Sequence, residues 1–498
     1  MIQGTASSVG KSLLCAALCR ILKQDGFNPA PFKSQNMALN SYVTRDGFEM
    51  GRAQVMQAEA SGIDPRVEMN PVLLKPTSDQ GSQVIVMGRP HSNMAAMEYI
   101  KWKEELLPVI DKAFAALAAD HDIVVIEGAG SPAEINLREN DLVNMGLACR
   151  LQAPVLLAGD IDRGGVFASL YGTIALLQPE EQALIKGVII NKFRGDRKVL
   201  EPGLKQLEDL IGKPVLGVVP FMRLNLDDED SVTDRFTGKS DGKALKVQVV
   251  LLPRISNFTD FNPLELFDDL SLSYIRDPQE LDSPDLLILP GSKNTIEDLL
   301  HLRDAGWEGP LNDYVSKGGL LVGICGGFQM LGQKICDPLG VESSAPEVPG
   351  FGLLKVETIM EKEKSTRQVE AFWCYRDNGY FAGMAEKEPL TGYEIHMGRT
   401  DYHSVKHPVY VQSEELWEGA VSAGGNVFGT YLHGIFDNLT WTNKLLNNLR
   451  KRRGLPELAN TLPASYREYK EKEYDALAGA VRENLDIDAI YRIIKSGG

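Results

Sequence analysis

The residues Gly323-Ile-Cys-Gly-Gly-Phe-Gln329 follow directly on the apolar run Leu320-Leu321-Val322. A cysteine centred in G-x-C-x-G at the end of an apolar strand is the sequence form of a nucleophile elbow, a sharp strand-to-helix turn. No other feature constrains the fold as much, because such a turn belongs to a sheet of parallel strands joined by crossover helices. A second junction of this kind opens the chain. Gly4-Thr-Ala-Ser-Ser-Val-Gly10-Lys11-Ser12 stands between a short apolar strand and the helical run Leu13 to Gln24, which is the order of parts in a phosphate-binding loop.

With 498 residues the chain exceeds what one core accommodates, so two or three domains are expected. Up to about Phe221, strand-like runs ending in Gly, Asp or Asn alternate with helical patterns, the signature of a parallel sheet. The strands expected are Met1-Gln3, Ile123-Ile126, Val155-Ala158, Gly187-Ile190 and Val215-Val219. The chain begins inside the first of these, so either a few residues precede Met1 or this strand is abbreviated. Residues 225 to 244 are acidic at their start, contain glycine and hold few apolar residues, which reads as a linker. Beyond it a second α/β series is expected over Val247-Leu252, Leu286-Leu289 and Leu320-Ile324, then mixed strands around Gly352-Val356, Gly392-Met397 and Val427-Leu432. From about Asn438 the pattern is helical and charged through Ser496, and these helices are expected on the second domain. The division is 1–224, a linker 225–245, a second domain 246–440 and a helical extension 441–498.

Composition narrows the partners. A formal net charge of -16 argues against general nucleic-acid binding, which needs a basic face. Any anionic substrate must then be held by a local group of Lys and Arg. Six cysteines lie scattered without a C-x-x-C pair, indicating neither zinc site nor disulfide framework and fitting a reducing cytoplasm. No apolar stretch approaches the ~18 residues needed to cross a bilayer, and no basic region followed by an apolar run opens the chain.

In the first loop, backbone N–H groups and the helix N-terminus would hold phosphates, Lys11 would neutralise β/γ oxygens and Ser12 would ligate Mg²⁺. Gly4, Thr5, Gly10, Lys11 and Ser12 are therefore the nucleotide-binding candidates, although five residues separate the two glycines where the usual motif has four. In Asp122-Ile-Val-Val-Ile-Glu127-Gly-Ala-Gly130 a carboxylate sits at the tip of a buried strand, either as a second Mg²⁺ contact or as a helix cap. Lys33 and Asp46 bracket most of the polar segment Pro31 to Thr44, read as an active-site loop or an ordinary surface excursion. Asp160-Ile-Asp162-Arg163 and Asn191-Lys-Phe-Arg194 follow further strands, and ligands gather at such carboxyl ends. Asp46, with Ser12 and Glu127, completes the metal candidates; Lys33 and Asn191 complete the nucleotide set.

For the thiol, the N–H of Gly326 and one from Pro290-Gly291-Ser292 would receive an oxyanion, and the helix dipole would favour the thiolate. His433, at the end of the late strand Thr430-Tyr-Leu-His433, is the candidate base. The bland alternatives are a buried small hydrophobe and a satisfied histidine. His396 alternates with apolar residues and reads as a strand residue near the cleft, while His403 and His407 read as surface.

These motifs carry a resemblance. The second domain resembles class I glutamine amidotransferases through Cys325, Gln329 behind it, Pro290-Gly291 and His433; the first resembles dethiobiotin synthetase-like, P-loop NTPase-like ATP-binding domains. Their fusion resembles the cobyric acid synthase family, with FKSQNMALNSYVT (Phe32 to Thr44), EGAGSPAEINL (Glu127 to Leu137), GDIDRGGVFASLYGT (Gly159 to Thr173), NKFRGD (Asn191 to Asp196) and GYEIHMGRT (Gly392 to Thr400). The resemblance implies two parallel-sheet α/β domains with a helical C-terminal extension, ATP and Mg²⁺ as cofactors, and small-molecule partners only. It implies that Cys325 thiolate frees ammonia from glutamine, with Gln329 at the glutamine site. MgATP would activate peripheral carboxylates of adenosylcobyrinic acid a,c-diamide for four-fold amidation to adenosylcobyric acid, in cobalamin biosynthesis. Arg138, Arg163 and Arg194, with Lys33, are candidates for holding that polyanion, or else ATP contacts or surface charges. One departure matters: many class I glutaminases place a glutamate two positions after the histidine, where this chain has Ile435. The unit is then a Cys-His dyad, or another acid such as Glu394 assists. The rival readings are a cobyrinic acid a,c-diamide synthase and a nucleotide-dependent regulatory protein with a degenerate glutaminase domain.

Overall fold

The structure is a computed structural model that describes residues 1–77, 81–139, 141–227, 243–343, 345–377, 379–385, 387–459, 462–463 and 465–496. In the N-terminal domain the strands Pro29–Phe32, Ile123–Ile126, Ile2–Gly4, Val155–Asp160, Ile185–Phe193 and Val215–Pro220 lie side by side and parallel. Their Val/Ile/Leu content is that of strands covered on both faces. All five strands expected here are present. The sixth, Pro29–Phe32, carries two prolines and gave no strand signal; it is tolerated because it forms the edge, where a missing N–H breaks no ladder.

The segment Pro31 to Thr44 is not simply a loop. It contributes the short strands Gln35–Met37 and Ser41–Val43. The first joins a small sheet with Val72–Pro76, Gly81–Val86 and Arg89–Ala95, and the second pairs with Glu49–Gly51.

In the second domain Leu270–Ile275, Leu245–Val250, Leu286–Leu289, Leu320–Ile324 and Val427–Thr430 run parallel, with Ala420–Val421 antiparallel at one edge. A further sheet rests on two long antiparallel strands, Val356–Trp373 and Glu388–Tyr402. The strand expected near Gly352 starts only at Val356.

The C-terminal helices correct the expectation. Leu439–Arg452 does pack on the second domain, through Trp441, Leu445 and Leu449. The helices Tyr466–Asn484 and Ile487–Ser496 instead return to the N-terminal domain, where Tyr474, Leu477, Val481 and Ile490 share a core with Ile2, Leu14, Leu18 and Ile21. The cause is complementarity: the helix Lys11–Gln24 offers Arg20 to Glu471 and Asp475, each at 2.8 Å, and Asp25 just beyond it takes Arg482 at 2.8 Å. The beginning of the expected linker is also packed. Leu226 joins this core, and Asp227 is buried between Arg52 at 2.9 Å and Lys470 at 3.4 Å. Residues 228–242 of that linker lie outside the described ones.

Candidate functional sites

The loop after Ile2–Gly4 turns into its helix at Gly10, whose φ of 92° suits glycine. A side chain there is also excluded by space, since a Cβ would stand 2.3 Å from Asn191 Nδ2. That amide donates to the carbonyl of Val9 (2.8 Å), so Asn191 braces the loop from Ile185–Phe193, two strands along in the sheet. Lys11 reaches back across the loop, its ammonium donating to the carbonyls of Ala6 (3.0 Å) and Gly130 (3.1 Å). Ser12 Oγ donates to Glu127 Oε1 at 2.9 Å, and Lys33 Nζ meets the same oxygen at 2.9 Å. Glu127 is wholly buried, and the amides of Gln54 and Gln57 donate to its other oxygen. A buried charge must be paired and hydrogen-bonded, and Glu127 is both.

The structure thus brings Lys11, Ser12, Lys33, Glu127 and Asn191 together, with Thr5 on the adjoining cavity wall. Asp46 does not join them. It is exposed at the tip of the hairpin formed by Ser41–Val43 and Glu49–Gly51, beside Gly47, whose carbonyl accepts from Thr366 of the second domain at 2.7 Å. The sequence segment is long enough to fold away from the loop, and the hairpin does so. A cavity of about 670 Å³ adjoins the phosphate loop and is lined by Thr5, Ser7, Gly130, Lys103, Arg138 and apolar side chains such as Leu74, Met94 and Tyr99. Met37, Ile100 and Leu137, on its walls, are 55%, 41% and 51% exposed. Of the three arginine candidates only Arg138 lines this cavity. Arg163 is exposed, and Arg194 is turned to Asp162 (2.9 Å) and the face of Phe221.

In the second domain the turn is tighter. Cys325 itself has φ 53° and ψ -110°, a strained conformation for a residue with a side chain, of the kind found at functional sites. Neighbouring glycines are needed to make room: a Cβ at Gly327 would lie 2.0 Å from the Leu289 carbonyl, and one at Gly326 2.9 Å from Ser292 N. Gly326 therefore abuts the Gly291–Ser292 segment, as an oxyanion pocket requires. His433 lies on the other side of Gly291, where an added Cβ would be 3.4 Å from its Cε1. Its ring is fixed by a stack on Tyr393 (5.2 Å between centroids, 16° apart) and by backbone bonds between the same two residues.

His433 Nδ1 meets Asp260 Oδ2 at 2.7 Å, while Asp260 Oδ1 accepts from the N–H of Gly434 at 3.1 Å. Nε2 is buried with no hydrogen-bond partner among the described residues. Burial by itself would lower the proton affinity of this imidazole, but the Asp260 carboxylate outweighs it and, with Cys325 adding in the same sense, lifts the pKa to about 10. The acid in contact with His433 is thus Asp260, not Glu394, which is engaged by Arg367 (2.7 Å) and His396 (3.6 Å). Asp260 escaped the sequence reading because it lies far from the histidine in the chain. The signal available was an acid set between Phe258 and Phe261, in a stretch where burial demands a partner.

A small cavity of about 40 Å³ opens at Cys325 and is lined by Gln329, His396, Lys293, Glu342, Lys364 and, from the other domain, Lys75. Gln329 shapes it with an engaged amide, accepting from Thr295 (3.0 Å) and donating to Met397 O (3.0 Å) and Tyr431 (3.1 Å). Burial raises the Glu342 carboxyl to about 7 and lowers the Lys364 ammonium to about 7. The two domains meet beside this cavity: Ser41 N donates to Asn257 Oδ1 (3.0 Å), Tyr393 OH to Ser41 O (3.3 Å), and Arg254 Nε to Thr77 O (3.1 Å).

Residues 1–229 match the CobQ/CobB/MinD/ParA nucleotide binding domain, and residues 246–441 match the CobB/CobQ-like glutamine amidotransferase domain. Among the described residues no helix is long and apolar enough to cross a membrane. The chain is 51% identical to the cobyric acid synthase of Caldanaerobacter subterraneus subsp. tengcongensis, over 99% of this chain and 98% of that one. It is 51% identical to the cobyric acid synthase of Streptococcus sanguinis, with the same coverage, and 52% identical to that of Ruminiclostridium cellulolyticum, over 100% and 97%. Full-length similarity at this level, on a chain whose phosphate loop and thiol turn are both intact, is decisive: the chain belongs to the cobyric acid synthase family.

Proposed function

We propose that the chain converts adenosylcobyrinic acid a,c-diamide to adenosylcobyric acid, drawing four nitrogens from glutamine and activating each carboxylate with ATP. The observation that supports this reading is a His433–Asp260 pair acting together with Cys325, and a phosphate loop across one domain contact. Cys325 thiolate attacks the side-chain amide of glutamine, and the oxyanion forms against the N–H groups of Gly326 and Gly291. His433, held as imidazolium by Asp260, gives its proton to departing ammonia, and water then releases glutamate from the thioester.

In the N-terminal domain a substrate carboxylate takes the γ-phosphoryl of ATP, ADP leaves, and ammonia displaces phosphate to form the amide. Lys11 and the loop N–H groups hold the phosphates, and the chemistry is mostly positioning and charge neutralisation. Ser12 Oγ and the Glu127 carboxylate, 2.9 Å apart, are hard oxygen donors suited to Mg²⁺. Mg²⁺ held there would neutralise charge on the phosphates. The large cavity beside the loop, apolar with Arg138 and Lys103 at hand, suits a macrocycle carrying carboxylates at its rim. The six cysteines, all free, agree with work in a reducing cytoplasm.

Purified chain given ATP, Mg²⁺, glutamine and either cobyrinic acid or its a,c-diamide is expected to add four amides to the diamide, counted by mass. Two amides on cobyrinic acid and none on the diamide would assign the chain to the earlier amidation instead.

A further inference from the structure

The glutamine-side cavity is not the work of one domain. Lys75, on its wall, comes from the strand Val72–Pro76 of the N-terminal domain. Its ammonium is held by Glu49 Oε1 at 2.8 Å and by the Ser41 hydroxyl at 2.9 Å. The other oxygen of Glu49 takes Lys364, 2.5 Å away, from the long strand Val356–Trp373 of the second domain. Glu49 is wholly buried, and both lysines line the cavity that contains Cys325. Removing the shared carboxylate would take from the two buried lysines the acceptor they share and drive Lys364 to its neutral form. The shape of the cavity therefore depends on a residue that does not touch it.

This group is tied by the Asn70 side chain to Lys33, which reaches the Glu127 carboxylate beside the phosphate loop. Asn70 Nδ2 donates to the carbonyls of Lys33 (3.2 Å) and Val72 (2.9 Å), and Asn70 Oδ1 accepts from Gly51 N (2.9 Å). Lys33 is the cation on Glu127, Val72 begins the strand that carries Lys75, and Gly51 ends the strand that carries Glu49. A ligand at one site alters the other only through an element that both sites bias. The strands Glu49–Gly51 and Val72–Pro76 are placed to be such an element, being bonded to the phosphate side at one end and to the glutamine cavity at the other.

We propose that Glu49, Lys75 and Lys364 are positioning residues that couple the two active sites, so that glutamine is hydrolysed efficiently only while Glu49 holds both lysines in place. The proposal rests on the glutaminase and amidation roles given above. Glutamate release and amide formation are measured together in the full chain, with ATP, Mg²⁺ and corrinoid acid supplied or withheld. In the unaltered chain these additions are expected to raise glutamate release about tenfold. Glu49→Gln is expected to lose that stimulation and to raise KM for glutamine about tenfold, with ammonia-supported amidation kept within about twofold. Lys364→Arg, which retains the charge, is expected to keep the stimulation. If Glu49→Gln does not fold, Lys364→Met is read by the same criteria. The coupling is overturned if the unaltered chain forms amides without any stimulation, if the variant retains it, or if glutamine- and ammonia-supported amidation fall together. An unaltered chain that makes no amide from either nitrogen source would instead defeat the amidation reading itself.

Discussion

Two of the chain's strand-to-helix turns divide the labour between backbone and side chain in opposite ways. After Ile2–Gly4 the turn is long, the helix is entered through a left-handed glycine, Gly10, and Lys11 folds back onto the carbonyls of Ala6 and Gly130. What such a loop presents is backbone N–H, the natural ligand of phosphate. After Leu320–Ile324 the turn is a single residue, and the left-handed φ falls on Cys325 itself. Strain placed on a residue with a side chain lifts that side chain out of the sheet as a reagent. Each turn also has its buried acid. Glu127 is tied down by Ser12, Lys33, Gln54 and Gln57, whereas Asp260 is committed to one imidazole and one N–H. On the proposed reading, the same topology serves as a binding site where glycine leads into the helix and as a nucleophile where cysteine does.

The sharpest break of this comparison removes the reagent alone. Cys325→Ser is expected to lower glutamine-dependent amidation by about 10⁶-fold, with ammonia-supported amidation intact; assays run in parallel on the two nitrogen sources decide it. Loss of both would mean that the sulfur is not confined to nitrogen release.

Next in size is the acid. Asp260→Asn keeps the shape and removes the charge, and is expected to lower glutamine hydrolysis by about 10³–10⁴-fold. The pH dependence carries a sign. With the pKa of His433 lifted from 6.5 to about 10, the imidazolium-carboxylate pair contributes its stability in full below pH 6.5 and loses it as pH rises through about 10. Without Asp260 the largest influence raising the His433 pKa is gone, so the alkaline fall in hydrolysis should move to lower pH. An alkaline limb that stays in place after the substitution would show that Asp260 does not set the proton affinity of His433.

Lys11→Ala tests the other turn and should do less. If the loop binds mainly through its backbone, amidation is expected to fall by about 10²–10³-fold with either nitrogen source, while glutamine hydrolysis measured without ATP is unchanged. Equal losses in both assays would place the lysine outside the phosphate site.

Both turns were legible in the sequence because their signals are local: glycines at fixed offsets, and an apolar strand running straight into a helix. The same holds for Glu127, at the tip of Ile123–Ile126. What stayed hidden depended on contacts between distant segments. Asp260 finds His433 only because the segment after Leu245–Val250 packs beneath the end of Val427–Thr430. Asp46 brackets the polar segment with Lys33 in sequence, yet it stands at the tip of a hairpin whose Gly47 bonds the second domain. Lys75 carries no motif, and it reaches the thiol cavity only because the domains are docked.

The C-terminal helices extend the contrast between domains to stability. Leu477 and Leu445 are both buried leucines on late helices, at 1% and 0% exposure, yet the first packs beside Leu14 and Leu18 and the second beside Trp441 and Leu449. Leu477→Ala is expected to cost about 2–4 kcal/mol in the N-terminal domain, and Leu445→Ala a similar amount in the second. Because a bound ligand raises only the transition of the domain that binds it, MgATP identifies which of the melting transitions belongs to the N-terminal domain. Leu477→Ala should lower that transition and spare the other, with Leu445→Ala doing the reverse. If Leu477→Ala lowered the transition that MgATP leaves alone, the helix Tyr466–Asn484 would belong to the glutaminase side after all.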